Sequence, residues 1–453
     1  MAGELYGRRG VVLLLSGLAL AAVVLVIVSL TAAGRPAPAG PLRFGVLGSS
    51  CDAARVPALA EAGVTLAQVS VEWARFAPAP GVVDAAYRDA TTAGIERCRA
   101  AGIGVVLSVG LQDAPPWVTA APGAAYRDQY GRPGPDRVPN LAFSAAARAA
   151  TAEYLSAVAR TWPLDGFAAV RVGTGDNGEL GYPTVEPTAG ADNPYWAFDD
   201  AAQSGVGLAE GAAVSPLPGW TPGSPTYDDR PLGADGVRRW FDWYSGAIAG
   251  AARWQVDTLR ALGFRGEVHL PLAGRGVLPA DLALAVENHL DGTGDRDGSL
   301  AAGLDYPTQL PALAEAPGPL LVDVTGLDDA TAVDARRLDP PQDLCAPDDA
   351  DQVPEPAPEV DVASWSASRW TLAVASHAGL GALGENPGSA GAPNTGGDPE
   401  SDDLSAQMEQ ATRYARACGL SALLFAFEDD LFGDPRDVSV AEYAEHIRTG
   451  EAR

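Results

Sequence analysis

Two short segments hold the residues best suited to chemistry: Gly173-Thr-Gly-Asp-Asn-Gly-Glu-Leu-Gly-Tyr-Pro183 and, far downstream, Gly384-Glu385-Asn386-Pro387. Each ends an apolar, strand-like run in a glutamate set among glycine and proline. A pair of carboxyls can divide the work of breaking a glycosidic bond. One, Glu179, protonates the leaving oxygen; the other, Glu385, attacks or activates water. Glycines around Glu179 let backbone approach a ligand closely. A turn glutamate that merely caps the next element would explain either loop alone. Wholly apolar residues precede Glu385, however, which puts it at the edge of a core rather than in a solvated charge run.

The other strand-like runs end in groups suited to sugar contacts. Trp73 and Arg75 close the second, Gln112, Asp113 and Trp117 follow the third, and Glu428 ends the last. Asp176, Asn177 and Tyr182 flank Glu179, and Asn386 follows Glu385. Sugar rings stack on aromatics much as nucleobases do, and their hydroxyls pair with planar amides and carboxylates. In the long segment 182–236 and the run after it, Trp240, Trp243 and Tyr244 recur at helical spacing and read as core. Trp196 and Trp220 are the better platforms for a ring. His269, His289 and His377 lie scattered, with no nucleophile elbow nearby and no histidine pair at metal-binding spacing. No metal and no cofactor is expected.

To bring two distant glutamates together, the chain needs a scaffold that gathers strand ends. Apolar runs at 42–48, 64–73, 103–109, 167–173, 266–272, 320–325, 380–384 and 420–427 alternate with helical patterns at 52–62, 85–101, 144–162, 237–262, 279–289, 363–378, 404–418 and 438–448. Parallel strands buried on both faces lack clean alternation, as these do. Eight such units predict a (β/α)8 barrel, whose functional groups gather at the C-terminal ends of the strands. Gly45-Val-Leu-Gly48 lacks the third glycine of a dinucleotide fingerprint. No internal repeat is evident.

A net charge of −27 argues against nucleic acid, whose binders replace counterions with basic groups. Residues 11–30 form an uninterrupted apolar run, long enough to span a bilayer. Arg8 and Arg9 precede it, which leaves the N-terminus inside and the remainder exported. A cleaved signal has a shorter apolar region, so the expected layout is a cytoplasmic 1–10, an anchor in the lipid bilayer at 11–33, a linker at 34–41 and a catalytic domain at 42–450. Export permits disulfides among Cys51, Cys98, Cys345 and Cys418. Three full pairings are possible; a Cys51–Cys345 staple is conceivable, and so are free buried thiols.

The stretch Ala67-Gln-Val-Ser-Val-Glu-Trp-Ala-Arg-Phe-Ala-Pro-Ala-Pro-Gly81, with 102–109 and Ala114-Pro-Pro-Trp-Val118, resembles the opening of clan A glycoside hydrolases, especially family 42 β-galactosidases. Tyr126-Arg-Asp-Gln-Tyr-Gly131 and Pro139-Asn140 continue that likeness. The two glutamate motifs look more like those of β-amylase, Gly-Glu-Leu-x-Tyr-Pro and Gly-Glu-Asn. The β-amylase likeness implies that Glu179 is the acid and Glu385 the base. The clan A likeness implies an acid/base at Glu179 and a nucleophile at Glu385. Both point to the same residues and differ in stereochemical outcome. Two departures stand out: Gly178 occupies the place where clan A enzymes carry Asn, with Asn177 one position earlier, and a compact 110–116 replaces the long β-amylase loop.

The expected protein is therefore an outward-facing, membrane-anchored glycoside hydrolase acting on an oligo- or polysaccharide. Burial or neighbouring negative charge should raise the Glu179 pKa while Glu385 stays ionised. A non-catalytic glycan-binding protein of the cell envelope, or a transglycosylase, would use the same barrel.

Overall fold

The computed structural model describes residues 40–184, 193–295, 297–388, 403–433 and 438–451. The expected anchor at 11–33 and most of its linker lie outside them. Among the described residues no helix is long and apolar enough to cross a membrane.

Eight parallel strands close into a barrel: β1 Arg43–Val46, β2 Leu66–Ser70, β3 Gly104–Ser108, β4 Ala169–Arg171, β5 Glu267–Leu272, β6 Leu320–Val324, β7 Gly381–Glu385 and β8 Ala422–Phe425. Each pairs with its sequence neighbours, and β1 closes the ring on β8 through Arg43↔Ala422 to Val46↔Phe425. The principal helices are α1 Val56–Ala62, α2 Ala85–Ala100, α3 Ala145–Thr161, α4 Ala234–Ala261, α5 Tyr306–Ala314, α6 Ala367–His377, α7 Leu404–Ala417 and α8 Val440–Glu451.

The core has two parts, as the two-residue period of a strand requires. Leu66, Val106, Ala169, Leu383, Ala422 and Leu424 pack inside the barrel, with Leu321 against them. Val105, Leu107, Val170, Val322, Leu423 and Phe425 face the helices. Small residues on the inner face let the ring close: a β-carbon at Gly45 would lie 2.4 Å from Leu424 Cδ2.

Helix starts follow local chemistry. Asp84, Ser144, Ser366 and Asp403 each accept a backbone N–H of the first turn of α2, α3, α6 and α7, an arrangement worth about 1 kcal/mol apiece. The sequence pattern missed α5 because Pro307 and Pro311 read as breakers. Pro307 lies in the first turn, where its missing N–H costs no hydrogen bond, and Pro311 is accommodated within the helix. A one-turn helix, Trp73–Phe76, also interrupts the expected extended end of β2.

The cysteines pair as Cys51–Cys98 and Cys345–Cys418, so neither a Cys51–Cys345 staple nor a free thiol forms. The loop after β1 crosses α2, where Arg97 Nε donates to the Cys51 carbonyl at 2.8 Å. That crossing puts Cys51 over Cys98. The second bridge fixes the Pro/Asp-rich insertion before α6 to the end of α7; Arg369 clamps the same insertion through Asp349, at 2.9 and 2.8 Å.

Candidate active site

The inner face of the barrel turns polar one layer above its apolar floor. Two residues beyond Ala169, Leu321 and Leu383, on the same face, stand Arg171, Asp323 and Glu385. His269 in mid-β5, Gln68 in mid-β2 and Ser108 at the end of β3 are further buried polar groups. Asp323 has no exposed surface, and Glu385 is 4% exposed.

Glu179 reaches this layer from the loop after β4. Thr174 N and Gly175 N both donate to the Glu179 carbonyl at 2.9 Å, folding the loop back on itself. Gly173 must be glycine, because a β-carbon there would sit 2.0 Å from the Gly178 carbonyl oxygen. Gly178, at φ 75°, makes the left-handed turn just before the glutamate. Leu180 N then donates to Pro271 O at 2.8 Å, laying the segment along the end of β5. Gln255 of α4 holds the Gly173 carbonyl at 2.9 Å. The loop is anchored at both ends.

Glu385 is the last residue of β7. Arg171 Nη1 hydrogen-bonds its Oε1, and Nη2 lies 3.4 Å from its Oε2. The same guanidinium stands 3.6 Å from Asp323 Oδ2. Thr325, just past β6, has its hydroxyl oxygen 2.6 Å from Glu179 Oε1 and 3.0 Å from the Leu272 carbonyl. A hydroxyl has one proton, so it donates to Glu179 when that group is ionised. When Glu179 is protonated it can donate to Thr325, whose own proton turns to Leu272. Both states of the acid therefore find a partner.

Three carboxyls face one guanidinium in this layer, and they cannot all ionise cheaply. Burial raises the Glu179 pKa; Thr325 and Arg171 oppose the rise, and the charge of Glu385 adds to it. Burial likewise raises Asp323, against the pull of Arg171. Glu385 is lifted well above the ordinary carboxylate range by burial, with Arg171 opposing and Asp323 reinforcing. For Arg171, burial is outweighed by Glu385 and Asp323, and its pKa rises. Asp323 and Glu385 each perturb the other's ionisation, so the two titrate as a pair rather than as independent groups. Burial lowers the His269 pKa, against the pull of Glu267, whose carboxylate lies 3.5 Å from its Nε2.

The remaining sequence-derived candidates divide into mouth and scaffold. Gln112 remains partly accessible, and its amide packs against Gly178 beside Glu179. Asp113 lies 3.7 Å from Arg137, and burial raises its pKa. Arg75 is exposed and bonds Glu72 at 2.8 Å. Asn177 is exposed and Trp117 half-buried against the core. Asp176 accepts the Thr184 amide and hydroxyl, both at 3.1 Å, which makes it a loop brace.

Others are interior. Trp73, expected at a sugar, is fully buried and stacks on Tyr154 with ring centroids 4.4 Å apart. Tyr182 stacks on Tyr244 at 4.1 Å and gives its hydroxyl proton to the Tyr244 carbonyl. Trp196 and Trp220 are buried, donating to the carbonyls of Pro183 and Ser224. Tyr182, Trp196 and Trp220 tie the Glu179 loop and the segment from Asn193 onward to α4. Asn386 is buried and exchanges hydrogen bonds with Ala426 N and O, joining β7 to β8. Glu428 is 1% exposed and faces Arg55 at 3.3 Å.

Arg171, Asp323 and Thr325 escaped the sequence reading. The signal was there: a lone charge two residues past an inward apolar position. Phe427 also escaped it. This residue follows β8, is 45% exposed, and lays its ring against Gly48 and Gly388, where β-carbons would come within 3.5 and 3.2 Å. It is an accessible aromatic surface beside the Glu385 loop.

No protein-family model matches the chain, and no curated protein is significantly similar to it. Solved structures share the fold. The catalytic domain of β-amylase from Paenibacillus polymyxa superposes with a TM-score of 0.58 at 13% identity, covering 92% of this chain and 100% of that one. A β-galactosidase from Bacillus circulans sp. alkalophilus gives 0.54 at 14% identity, and one from the haloarchaeon Halorubrum lacusprofundi gives 0.51 at 15%. Each covers 91% of this chain, which spans only 56% and 58% of those two. The shared fold is a (β/α)8 barrel.

Proposed function

We propose that this protein is a glycoside hydrolase in which Glu179 protonates the glycosidic oxygen and Glu385 acts as the nucleophile or base. One observation carries the reading: both carboxyls belong to a single charge cluster at the C-terminal mouth of the barrel, Glu385 buried and Glu179 half-buried, with distinct partners. Glu179 sits where burial and like charge favour its neutral form, as a general acid needs. Glu385 has the Arg171 guanidinium, which favours its ionised form. Burial and Asp323 favour the neutral form of Glu385, against the expectation that it stays ionised; the reading requires the charge on Glu385 when it acts, a state that the contact of Arg171 with both its oxygens favours. The fold shared with β-amylase and β-galactosidases supports the same reading by analogy.

The substrate is an oligo- or polysaccharide. Gln112, Asp113 and Asn177 flank the acid, and Phe427 offers a ring face on the opposite rim. The barrel at 42–450 works outside the cell, tethered through the apolar run at 11–33 with 34–41 as linker and 1–10 inside. Two disulfides among the described residues suit an oxidising compartment.

The test is turnover of aryl β-galactosides, aryl α-glucosides, maltohexaose and β-1,4-galactotetraose by wild type, Glu179→Gln and Glu385→Gln. General acid–base groups contribute about 10²–10⁴-fold, so each variant should lose that much on an accepted oligosaccharide, whose sugar leaving group needs the proton. Wild-type rates in either variant would remove its glutamate from the mechanism. Tight binding with no turnover by the wild type would make the protein a glycan-binding barrel instead.

A further inference from the structure

Beside the ends of β1 and β2, against the first turns of α2, lies a groove of about 780 Å³. This volume falls within the ~300–1,000 Å³ range of sites that bury a small organic ligand. Its walls include Gly48, Ser49, Ser70, Glu72, Arg75 and Tyr87. None of the chemistry above uses it.

We infer that this groove is a second saccharide subsite, holding the part of a neutral oligosaccharide that extends beyond the bond between Glu179 and Glu385. The inference rests on the glycosidase reading and adds that the enzyme prefers chains over short glycosides.

Continuity with the mouth is the first argument. On one side the groove begins at Gly48, against which the exposed Phe427 ring lies, and that ring also covers Gly388, three residues past Glu385. On the other side its wall is Glu72, whose charge is felt by Asp113. Asp113 adjoins Gln112, and Gln112 packs on Gly178 next to Glu179. The groove thus adjoins, through Phe427 on one side and Glu72 on the other, the residues that flank the two glutamate loops.

Pre-organisation is the second argument. Arg75, 64% exposed along its side chain, is fixed by Glu72 at 2.8 Å and lies over the Tyr87 ring at 4.8 Å. Tyr87 in turn accepts the Glu72 amide at 2.9 Å. Buried Gln68 takes the Gly48 amide at 2.9 Å and donates to the Ser70 hydroxyl at 2.9 Å, ordering the opposite wall. The result is a planar guanidinium fork beside a carboxylate, donors and acceptors held in place for vicinal hydroxyls. Glu72 already neutralises Arg75, and Asp84 adds a negative charge. That balance favours neutral sugars over uronic or sulfated ones.

Calorimetric titration of Glu179→Gln protein with maltose, maltohexaose, lactose, β-1,4-galactotetraose and tetragalacturonate tests this, repeated with Arg75→Ala added. At least one neutral oligomer should bind tenfold or more tighter than its disaccharide, and Arg75→Ala should remove most of that gain. Equal affinity for long and short members, or an equal loss for both on Arg75→Ala, would overturn the groove and leave the glycosidase reading standing. Tighter binding of tetragalacturonate than of both neutral oligomers would overturn its neutral specificity. Binding of none, with no turnover by wild type, would sink both. Arg75 is a surface residue, so an unchanged melting temperature verifies that the variant folds.

Discussion

Thr325 Oγ1 lies 2.6 Å from Glu179 Oε1, joining a residue just past β6 to one 146 positions earlier in the loop after β4. That hydroxyl opposes the rise in the Glu179 pKa caused by burial. Thr325→Val should therefore push Glu179 higher still. A hydrogen bond to a charged group is worth roughly 1.5–3 kcal/mol, so the shift is about one pH unit or more. The alkaline limb of the pH–rate profile, where the acid loses its proton, should move up by that amount. An unmoved limb would mean that Glu179 is not the acid.

Arg171 is the counter-charge for Glu385 and Asp323. Arg171→Met leaves buried carboxyls uncompensated, a loss of about 3–5 kcal/mol in stability, read as a fall in urea midpoint. Turnover should fall with it. Arg171→Lys, which keeps the charge but not the fork, should recover most of the stability and only part of the rate. Full recovery of both would show that the two-pronged contact with Glu385 is immaterial.

Asp323→Asn removes one member of the carboxyl pair. The folded pKa values of Asp323 and Glu385 are raised, so above the unfolded carboxylate pKa, about 4, the native state holds more protons than the unfolded one. Stability therefore declines as pH rises from there through the folded values. Asp323→Asn should flatten that decline and raise stability at pH 7 by on the order of 1 kcal/mol. With its neighbouring carboxyl gone, Glu385 should ionise more readily, moving the acidic limb of the rate profile to lower pH. A steeper stability decline, or a limb that moves upward, would count against the coupling of the pair.

The disulfides close loops of 47 and 73 residues. Loop-closure entropy gives each about 4 kcal/mol. Cys51→Ala/Cys98→Ala should loosen the β1 loop that walls the groove, and Cys345→Ala/Cys418→Ala the insertion before α6. Thermal melts with and without reductant measure the cost. A negligible shift for either pair would show that its loop is held by packing alone.

Periodicity and punctuation in the sequence determine the ring of strands and helices. Eight apolar runs, each followed by an amphipathic stretch, can bury both faces of a parallel sheet only in a closed or doubly covered form. The glutamate loops are marked by glycines whose necessity the structure explains at Gly173 and Gly178. Tertiary structure decided what lies between. Trp73, Tyr182 and Trp196 look like sugar platforms in a linear reading because ring exposure depends on partners distant in sequence. Tyr154, Tyr244 and Pro183 claim them for the interior. Arg171 and Asp323 look like stray charges on apolar strands until barrel closure aligns their inner faces into one layer with Glu385. There burial and the Arg171 guanidinium act on the ionisation of all three carboxyls at once. The cysteine pairing was likewise open until the β1 loop crossed α2. Local chemistry fixes elements along the chain, whereas burial and charge balance depend on residues that only folding brings together.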